Sequence, residues 1–165
     1  EFGSQQCRPQ NPICVLCPFS RECIAYKENR VSQLPVKVRP NPVRNRYFTY
    51  LLVVQNNQIL MQKRVGKDIW HNLYQLPLYE MTNLEDIGNL MEQGAVKERW
   101  GQVNIKSKSP IIKHLLSHQR IHAQFLEVSP EKVPEDDGYF WIEDSRLADL
   151  ALPKLIFDFL KKFLN

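Results

Sequence analysis

The chain has 165 residues, enough for one ordinary domain and a small appendage. Its 43% hydrophobic and 24% charged residues are typical of a folded globular protein and exclude a disordered tail. No apolar run reaches the roughly 18 residues of a membrane span, and the first residues lack the pattern of a signal peptide, so we expect a cytoplasmic location.

The four cysteines cluster near the start of the chain, with the spacing Cys7-x6-Cys14-x2-Cys17-x5-Cys23. Four thiolates can complete the coordination of a [4Fe–4S] cluster or of one tetrahedral zinc ion. Zinc sites usually have a second close pair of ligands, which this spacing lacks, and disulfides would need an oxidising compartment. The spacing alone therefore favours the cluster only modestly over zinc, and both over disulfides.

Residues 27–46 connect this cysteine segment, residues 1–26, to the remainder of the chain. The connector contains six Lys or Arg residues and one acidic residue, a net charge of +5, together with three prolines. Prolines at this density favour extended conformations, so a semi-stiff spacer is predicted. Its charge suits contact with phosphate groups and equally suits an ordinary solvated linker.

Residues 47–165 are predicted to form an α+β domain. The apolar, β-branched run Tyr47–Val54 predicts a buried strand. Asn56-Asn57 predicts a turn, since asparagine tolerates positive φ, and Ile59–Arg64 predicts a returning strand. Leu73–Tyr79 predicts a further short strand.

Two helices are predicted in the same domain. Thr82 lies three residues before Glu85, the capping-box spacing that begins a helix, and Gly94 predicts a break in that helix. Tyr139–Ile142 predicts a short strand, and Pro153 is expected in the first turn of a final helix. The apolar faces of the two helices are Leu84, Ile87, Leu90 and Met91, and Leu155, Ile156, Phe159, Leu160 and Phe163.

Two further strand-like runs, Pro110–Leu116 and Arg120–Val128, are separated only by Ser117, His118 and Gln119. This short polar interval predicts a β-hairpin with a tight tip. Taken by itself, the tip has the composition of an ordinary turn.

The cysteine spacing resembles the iron–sulfur loop of the endonuclease III and MutY branch of the helix-hairpin-helix DNA glycosylases. Asn11-Pro12, Cys17-Pro18 and Ala25 also fit that loop. The resemblance implies that the four cysteines hold a [4Fe–4S] cluster and that the loop between the first two approaches DNA phosphates. Arg8 is the only basic residue between those two cysteines and is the candidate phosphate contact. The sequence does not decide whether a chain separated from the catalytic domain retains the cluster.

The rest of the chain resembles the Nudix-like terminal domain of MutY-type adenine glycosylases, which remove adenine opposite 8-oxoguanine. Endonuclease III-type chains end soon after the loop, whereas this chain continues for 142 residues past Cys23. The segments Ile69–Pro77 and Ala151-Leu152-Pro153 are similar to two motifs of that domain. The resemblance implies a C-terminal MutY-type part with an α+β, Nudix (MutT)-like mixed or antiparallel sheet flanked by helices.

Leu116-Ser117-His118, at the predicted hairpin tip, resembles the Phe-Ser-His motif with which that family contacts 8-oxoguanine. A Ser hydroxyl can accept a hydrogen bond from the N7–H of the oxidised base, where normal guanine has an acceptor. Leu116 departs from the aromatic residue, so an aliphatic wedge with weaker stacking is expected there. His118 is expected either to contact DNA or to brace the loop.

No catalytic residue is assigned within the chain. Base excision needs a general acid near the adenine and a carboxylate near the sugar, and the resemblance places both upstream of the cysteine loop. Because the chain begins at Glu1 rather than Met, we expect it to be part of a longer protein. The implied partner is double-stranded DNA containing an 8-oxoguanine·adenine mispair, bound by a monomer, and the resemblance also allows a protein to dock on the linker.

Two alternatives remain at this point. A Nudix nucleotide pyrophosphohydrolase would need the Glu-Glu pair that binds Mg²⁺, whereas the corresponding stretch offers only Glu98-Arg99-Trp100-Gly101. A zinc-containing binding module would use the same cysteines as the cluster.

Overall fold

The computed structural model describes residues 2–8, 10–34, 42–84, 87–92, 94–135 and 138–164. The chain divides into two units, Glu1–Pro42 and Val43–Asn165. The first unit contains helices α1 (Phe2–Gln6) and α2 (Ile24–Lys27) and 3₁₀ turns at Cys14–Leu16 and Val31–Gln33.

The second unit contains a mixed β-sheet and three helices. Its strands are β1 (Arg44–Gln55), β2 (Gln58–Lys63), β3 (Tyr74–Gln75), β4 (Leu78–Met81), β5 (Val103–Lys108), β6 (Ile112–Leu115), β7 (Gln119–Pro130) and β8 (Tyr139–Glu143). The helices are α3 (Ile87–Glu92), α4 (Gly94–Trp100) and α5 (Lys154–Phe163), and a 3₁₀ helix spans Asp144–Asp149. None of the helices described in either unit is long and apolar enough to cross a membrane.

Strand β1 is the centre of the sheet. It pairs in parallel with β7 and antiparallel with β2 and β4. Strand β7 in turn pairs antiparallel with β5 and β6, while β2 pairs antiparallel with β3 and β8. The predicted α+β class with a mixed sheet flanked by helices is therefore confirmed.

The two faces of β1 belong to two hydrophobic cores. Phe48, Tyr50 and Leu52 pack on the side of α5, while Leu51 and Val53 pack on the side of α3 and α4. Burial on both faces explains the almost unbroken apolar run in this strand, because alternate side chains of a strand point to opposite faces. On the α5 side, Phe125 of β7 stacks on Phe159 with ring centroids 3.8 Å apart.

Most predicted elements are present, with shifted ends. Asn56 and Asn57 form the turn after β1 with φ of 49° and 61°, and Gly94 begins a separate helix at the predicted break. Pro153 precedes α5 as its N-cap rather than occupying the first turn. The capping-box prediction involves Glu85, which lies outside the described residues.

Two predictions about strands were incomplete. The single strand predicted at Leu73–Tyr79 is two short strands that pair with different partners, β3 with β2 and β4 with β1. Pro77 lies between them and cannot donate a backbone hydrogen bond, although its carbonyl accepts one from Leu51 N at 2.9 Å. Strand β5 was not predicted, because most of its side chains are exposed and its apolar alternation is limited to Val103 and Ile105.

Candidate nucleic-acid interface

The hairpin formed by β6 and β7 presents the tip that the sequence predicts. Leu115 lies opposite Arg120 in the antiparallel ladder, and Leu116 N donates to Gln119 O at 2.8 Å. Ser117 and His118 form the two-residue loop beyond this bond, and both side chains are exposed. The hairpin prediction is confirmed, and the serine hydroxyl is open to a ligand.

Leu116 has a different position from its two neighbours in the motif. Its side chain is half-buried and packs against the core on the α5 side of the sheet. Trp70 contacts the same core and lies 5.8 Å from the ring of His114, measured between centroids. Leu116 therefore anchors the tip to the domain, while Ser117 and His118 project from it.

The tip is also held from the side of β1. The backbone N–H of Arg44 donates to His118 O at 3.1 Å, and Arg44 is paired with Gln119 in the parallel ladder. The sequence placed residues up to 46 in the linker, but β1 begins at Arg44. The first residues of β1 thus support the tip directly.

The buried side chain of Arg46 in β1 connects β1 to β7 below the tip. Arg46 has 5% of its side chain exposed, donates to Glu80 Oε1 at 2.7 Å and Asp68 Oδ1 at 2.9 Å, and reaches Gln119 Oε1 at 3.1 Å. Arg64 donates to Asp68 Oδ2 at 2.7 Å. Buried charge is tolerated when it is paired and hydrogen-bonded in this way.

This network changes the acidity of its carboxyl groups. The hydrogen bond from Arg46 is the main reason that the pKa values of Asp68 and Glu80 lie below their ordinary ranges. Sequence reasoning missed the network, since its members are separated by as many as 73 positions and no local pattern connects them. The only signal of the network in the sequence was Arg46, which directly precedes the predicted apolar strand Tyr47–Val54.

The cysteine loop lies in the first unit. All four thiols are free of disulfide bonds; Cys7 is exposed, and Cys14, Cys17 and Cys23 are half-buried. Cys17 N donates to Cys14 O at 3.1 Å, which closes a turn across the central pair. Within the described residues, no three Cys, His, Asp or Glu side chains are gathered in a position to hold a metal ion.

Arg8 lies beside Cys7 on the surface of this unit. Its Nε donates to Gln5 O at 3.0 Å, and its side chain is exposed. A depression of about 130 Å³ is lined by Gln5, Gln6, Arg8, Asn11 and Ile13. The guanidinium retains donors that can contact an anion. Of the linker, residues 27–46, on which protein docking was expected, residues 35–41 lie outside the described residues.

The stretch that corresponds to the Nudix glutamate motif ends in helix α4. Glu98 is exposed, whereas Trp100 is fully buried and donates from Nε1 to Tyr79 Oη at 2.6 Å. The end of this helix is thus fixed by an aromatic residue in the second core.

Comparisons with known proteins agree with this fold. Residues 49–162 match the model of the NUDIX domain family. The adenine DNA glycosylase of Buchnera aphidicola subsp. Schizaphis graminum is 26% identical over 170 residues, covering 99% of this chain and 46% of that protein. The chain therefore spans about half the length of this relative.

Solved structures give the same result. The C-terminal domain of mouse MUTYH, solved in complex with human PCNA, has a TM-score of 0.53 at 11% identity, covering 73% of this chain and 88% of that one. A NUDIX hydrolase from Nitrosomonas europaea has a TM-score of 0.56 at 9% identity, with coverages of 76% and 88%. At such identities the likeness shows the fold alone. The resemblance to MutY-type proteins is confirmed by the sequence relatives, which are adenine DNA glycosylases. The chain belongs to the NUDIX domain family.

Proposed function

We propose that this chain is the lesion-recognition part of a MutY-type adenine DNA glycosylase and that its hairpin tip contacts 8-oxoguanine opposite the adenine. The observation that carries the proposal is the position of Ser117, exposed at the end of a tip that two backbone hydrogen bonds hold. The adenine DNA glycosylase relatives support the choice of DNA as the ligand.

The chemistry of the tip suits this base. The Ser117 hydroxyl can accept a hydrogen bond from N7–H of 8-oxoguanine, which guanine cannot offer because its N7 is an acceptor. The same hydroxyl also has a proton to donate to a neighbouring acceptor. His118 is exposed beside it and supplies a second polar contact. Leu116 anchors the loop, so the tip is organised before DNA binds.

The whole glycosylase would be a hydrolase of the N-glycosidic bond, acting on DNA inside the cell. Excision requires a flipped adenine, a general acid and a carboxylate that stabilises the sugar cation. In our proposal these groups belong to the part of the relatives that this chain does not cover, and the chain contributes binding without catalysis. A nucleotide pyrophosphohydrolase is not favoured, since the relatives that cover the chain are glycosylases.

The proposal is tested by binding the chain to two duplexes that differ only in 8-oxoguanine or guanine opposite adenine, at one fixed low salt concentration. We expect about tenfold tighter binding to the lesion duplex, equivalent to about 1.4 kcal/mol. Ser117→Ala should remove most of this preference, because it removes the acceptor and leaves the loop backbone in place.

Ser129→Ala is the matched control, since Ser129 is an exposed serine near the other end of β7. It should bind both duplexes like the unmodified chain. Equal binding of the unmodified chain to the two duplexes would contradict lesion recognition. A preference that survives Ser117→Ala would move the contact away from this residue.

We also propose that Cys7, Cys14, Cys17 and Cys23 hold a [4Fe–4S] cluster, whose role would be to order the loop that carries Arg8. Four free thiols with three half-buried are a suitable donor set. Because the described residues do not gather them at ligand distance, binding requires the loop to close around the cluster.

Iron, zinc and acid-labile sulfide should be measured in chain purified without oxygen. We expect about four irons and four sulfides per chain, with loss of both in Cys17→Ser and no loss in Ser20→Ala in the same loop. One zinc per chain without sulfide would identify the alternative zinc module, and neither metal would contradict both.

A further inference from the structure

The β6–β7 hairpin has a second face beside the tip. Side chains alternate along a strand, so Ile112 and Leu116 point to the core while Lys113 and Leu115 point the other way. Leu115 is 70% exposed. The core-facing side is packed, whereas this outer face is open to solvent at the end of the sheet that carries the tip.

Three side chains on the outer face come together through the strand register. Lys113 lies opposite His122, and Leu115 lies opposite Arg120 in the antiparallel ladder. Lys113 is therefore directly across from His122, and Arg120 is two residues before it on β7. Lys113 and Arg120 are diagonal neighbours, about 7–8 Å apart in such a ladder. We call Lys113, Arg120 and His122 the basic hairpin face.

Among the residues that the structure describes, the cations of this face have no carboxylate partner. Lys113 and Arg120 are both exposed, and neither forms an ion pair with a carboxylate in the described parts of the chain. Arg46, on the opposite side of the sheet, is fully paired with Glu80 and Asp68. The basic hairpin face therefore presents positive charge that is available to an external anion.

His122 is held in place within this face by two contacts. Its ring stacks on Tyr47 with centroids 5.0 Å apart, and its Nε2 is 3.1 Å from Asn45 Oδ1. Burial, followed by the positive charges of Lys113 and Arg120, lowers the pKa of His122. Both cations are near enough to act on this one ring, in agreement with their positions in the ladder.

We propose that the basic hairpin face binds the phosphate backbone of the duplex whose oxidised base is contacted by the tip. The inference rests on the proposed function for the identity of the duplex, and on charge complementarity for the contact. Phosphate contacts fix the position of a protein on DNA, and base contacts supply the specificity. Two cations beside a base-contacting loop would provide that positioning within one rigid hairpin.

The experiment measures how the affinity for DNA depends on salt. Each phosphate contact with B-DNA contributes about 0.9 to the slope of log K against log salt concentration. The double substitution Lys113→Ala with Arg120→Ala should therefore reduce the magnitude of the slope by about two, equally for lesion and undamaged duplexes. The preference for 8-oxoguanine should be retained, because these side chains contact no base.

The control is Lys132→Ala with Arg146→Ala, which removes the same net charge from exposed positions beyond β7 and beyond β8. Its salt slope should match that of the unmodified chain. Circular dichroism and thermal unfolding establish that both double variants fold, which is expected for exposed side chains.

The outcomes separate this inference from the proposed function. An unchanged slope in the Lys113 and Arg120 variant, with lesion preference present, would overturn the phosphate contact and leave tip recognition standing. A reduced slope in a chain that never prefers 8-oxoguanine would support the phosphate contact and contradict the tip. A slope reduced equally by the control variant would show only a net-charge effect and would also overturn the inference.

Discussion

Two adjacent leucines at the end of β6 have opposite environments. Leu116 packs against the core, and Leu115 is 70% exposed on the outer face. We predict that Leu116→Ala lowers the free energy of unfolding by about 1–2 kcal/mol, less than a fully buried leucine, because only part of the side chain leaves water on folding. Urea unfolding followed by circular dichroism measures the change.

Leu115→Ala is the companion to this variant, with an expected change within about 0.5 kcal/mol. The same pair separates stability from recognition. Leu116→Ala should also weaken lesion preference, since it loosens the tip that carries Ser117. If Leu115→Ala proved the more destabilising of the two, the assignment of faces along β6 would be wrong.

At the scale of single residues, the sequence located the tip but not its surroundings. Ser117 and His118 were found because they stand between two strand-like runs and resemble a motif. Lys113 and Arg120 carry no such signal, as exposed Lys and Arg are common on any surface. Only the register of β6 and β7 shows that both are neighbours of His122 on one face.

At the scale of elements, β1 extends into the stretch predicted as linker. The composition before residue 47 is basic and contains prolines, which favours a connector. The pairing of β1 with β7 nevertheless starts at Arg44. Arg46 is buried, and its ion pairs with Asp68 and Glu80 connect it to two other segments of the domain. A charged residue can extend a strand when partners distant in sequence satisfy it, and composition does not record those partners.

The Arg46 network predicts how stability depends on pH. Because the pKa of Glu80 is lowered in the folded state, the unfolded chain binds more protons in acid. The carboxylate therefore contributes stability above its ordinary pKa of about 4.5, and this contribution is lost as pH falls through the folded value. Glu80→Gln should lower the thermal midpoint at pH 7 and show a smaller further decrease between pH 5 and pH 3.

Asp158→Asn serves as the comparison in the same pH series. Asp158 forms an exposed pair with Lys154 on α5, and such pairs contribute little. Its midpoint should follow that of the unmodified chain at every pH. Parallel curves for Glu80→Gln and the unmodified chain would show that Glu80 does not contribute to acid sensitivity.

Other elements show that the local sequence pattern does not predict every strand correctly. Buried strands such as β1 have strong apolar signals, whereas β5 is mostly exposed and was missed. Strands β3 and β4 were merged because both flank one apolar stretch, and the tertiary structure gives each a different partner. Strand pairing is long-range information that a local window does not contain.

At the scale of the whole molecule, the two units differ in the features that we expect to stabilise their folds. The first has four clustered cysteines and little buried apolar surface among its described residues. The second has two cores on either side of one sheet. We therefore expect the second unit to fold by burial of its own core, and the first to depend on a bound group for its order.

The sequence by itself determined the α+β class, the hairpin, the final helix and the resemblance to MutY-type proteins. These follow from periodicity, turn residues and motif spacing, which are local along the chain. Only the tertiary structure decided that Leu116 is an anchor, that Arg46 joins Glu80, Asp68 and Gln119, and that Lys113 and Arg120 share one face. Each of these depends on which strands become neighbours and in which register they pair, and a local sequence window contains neither.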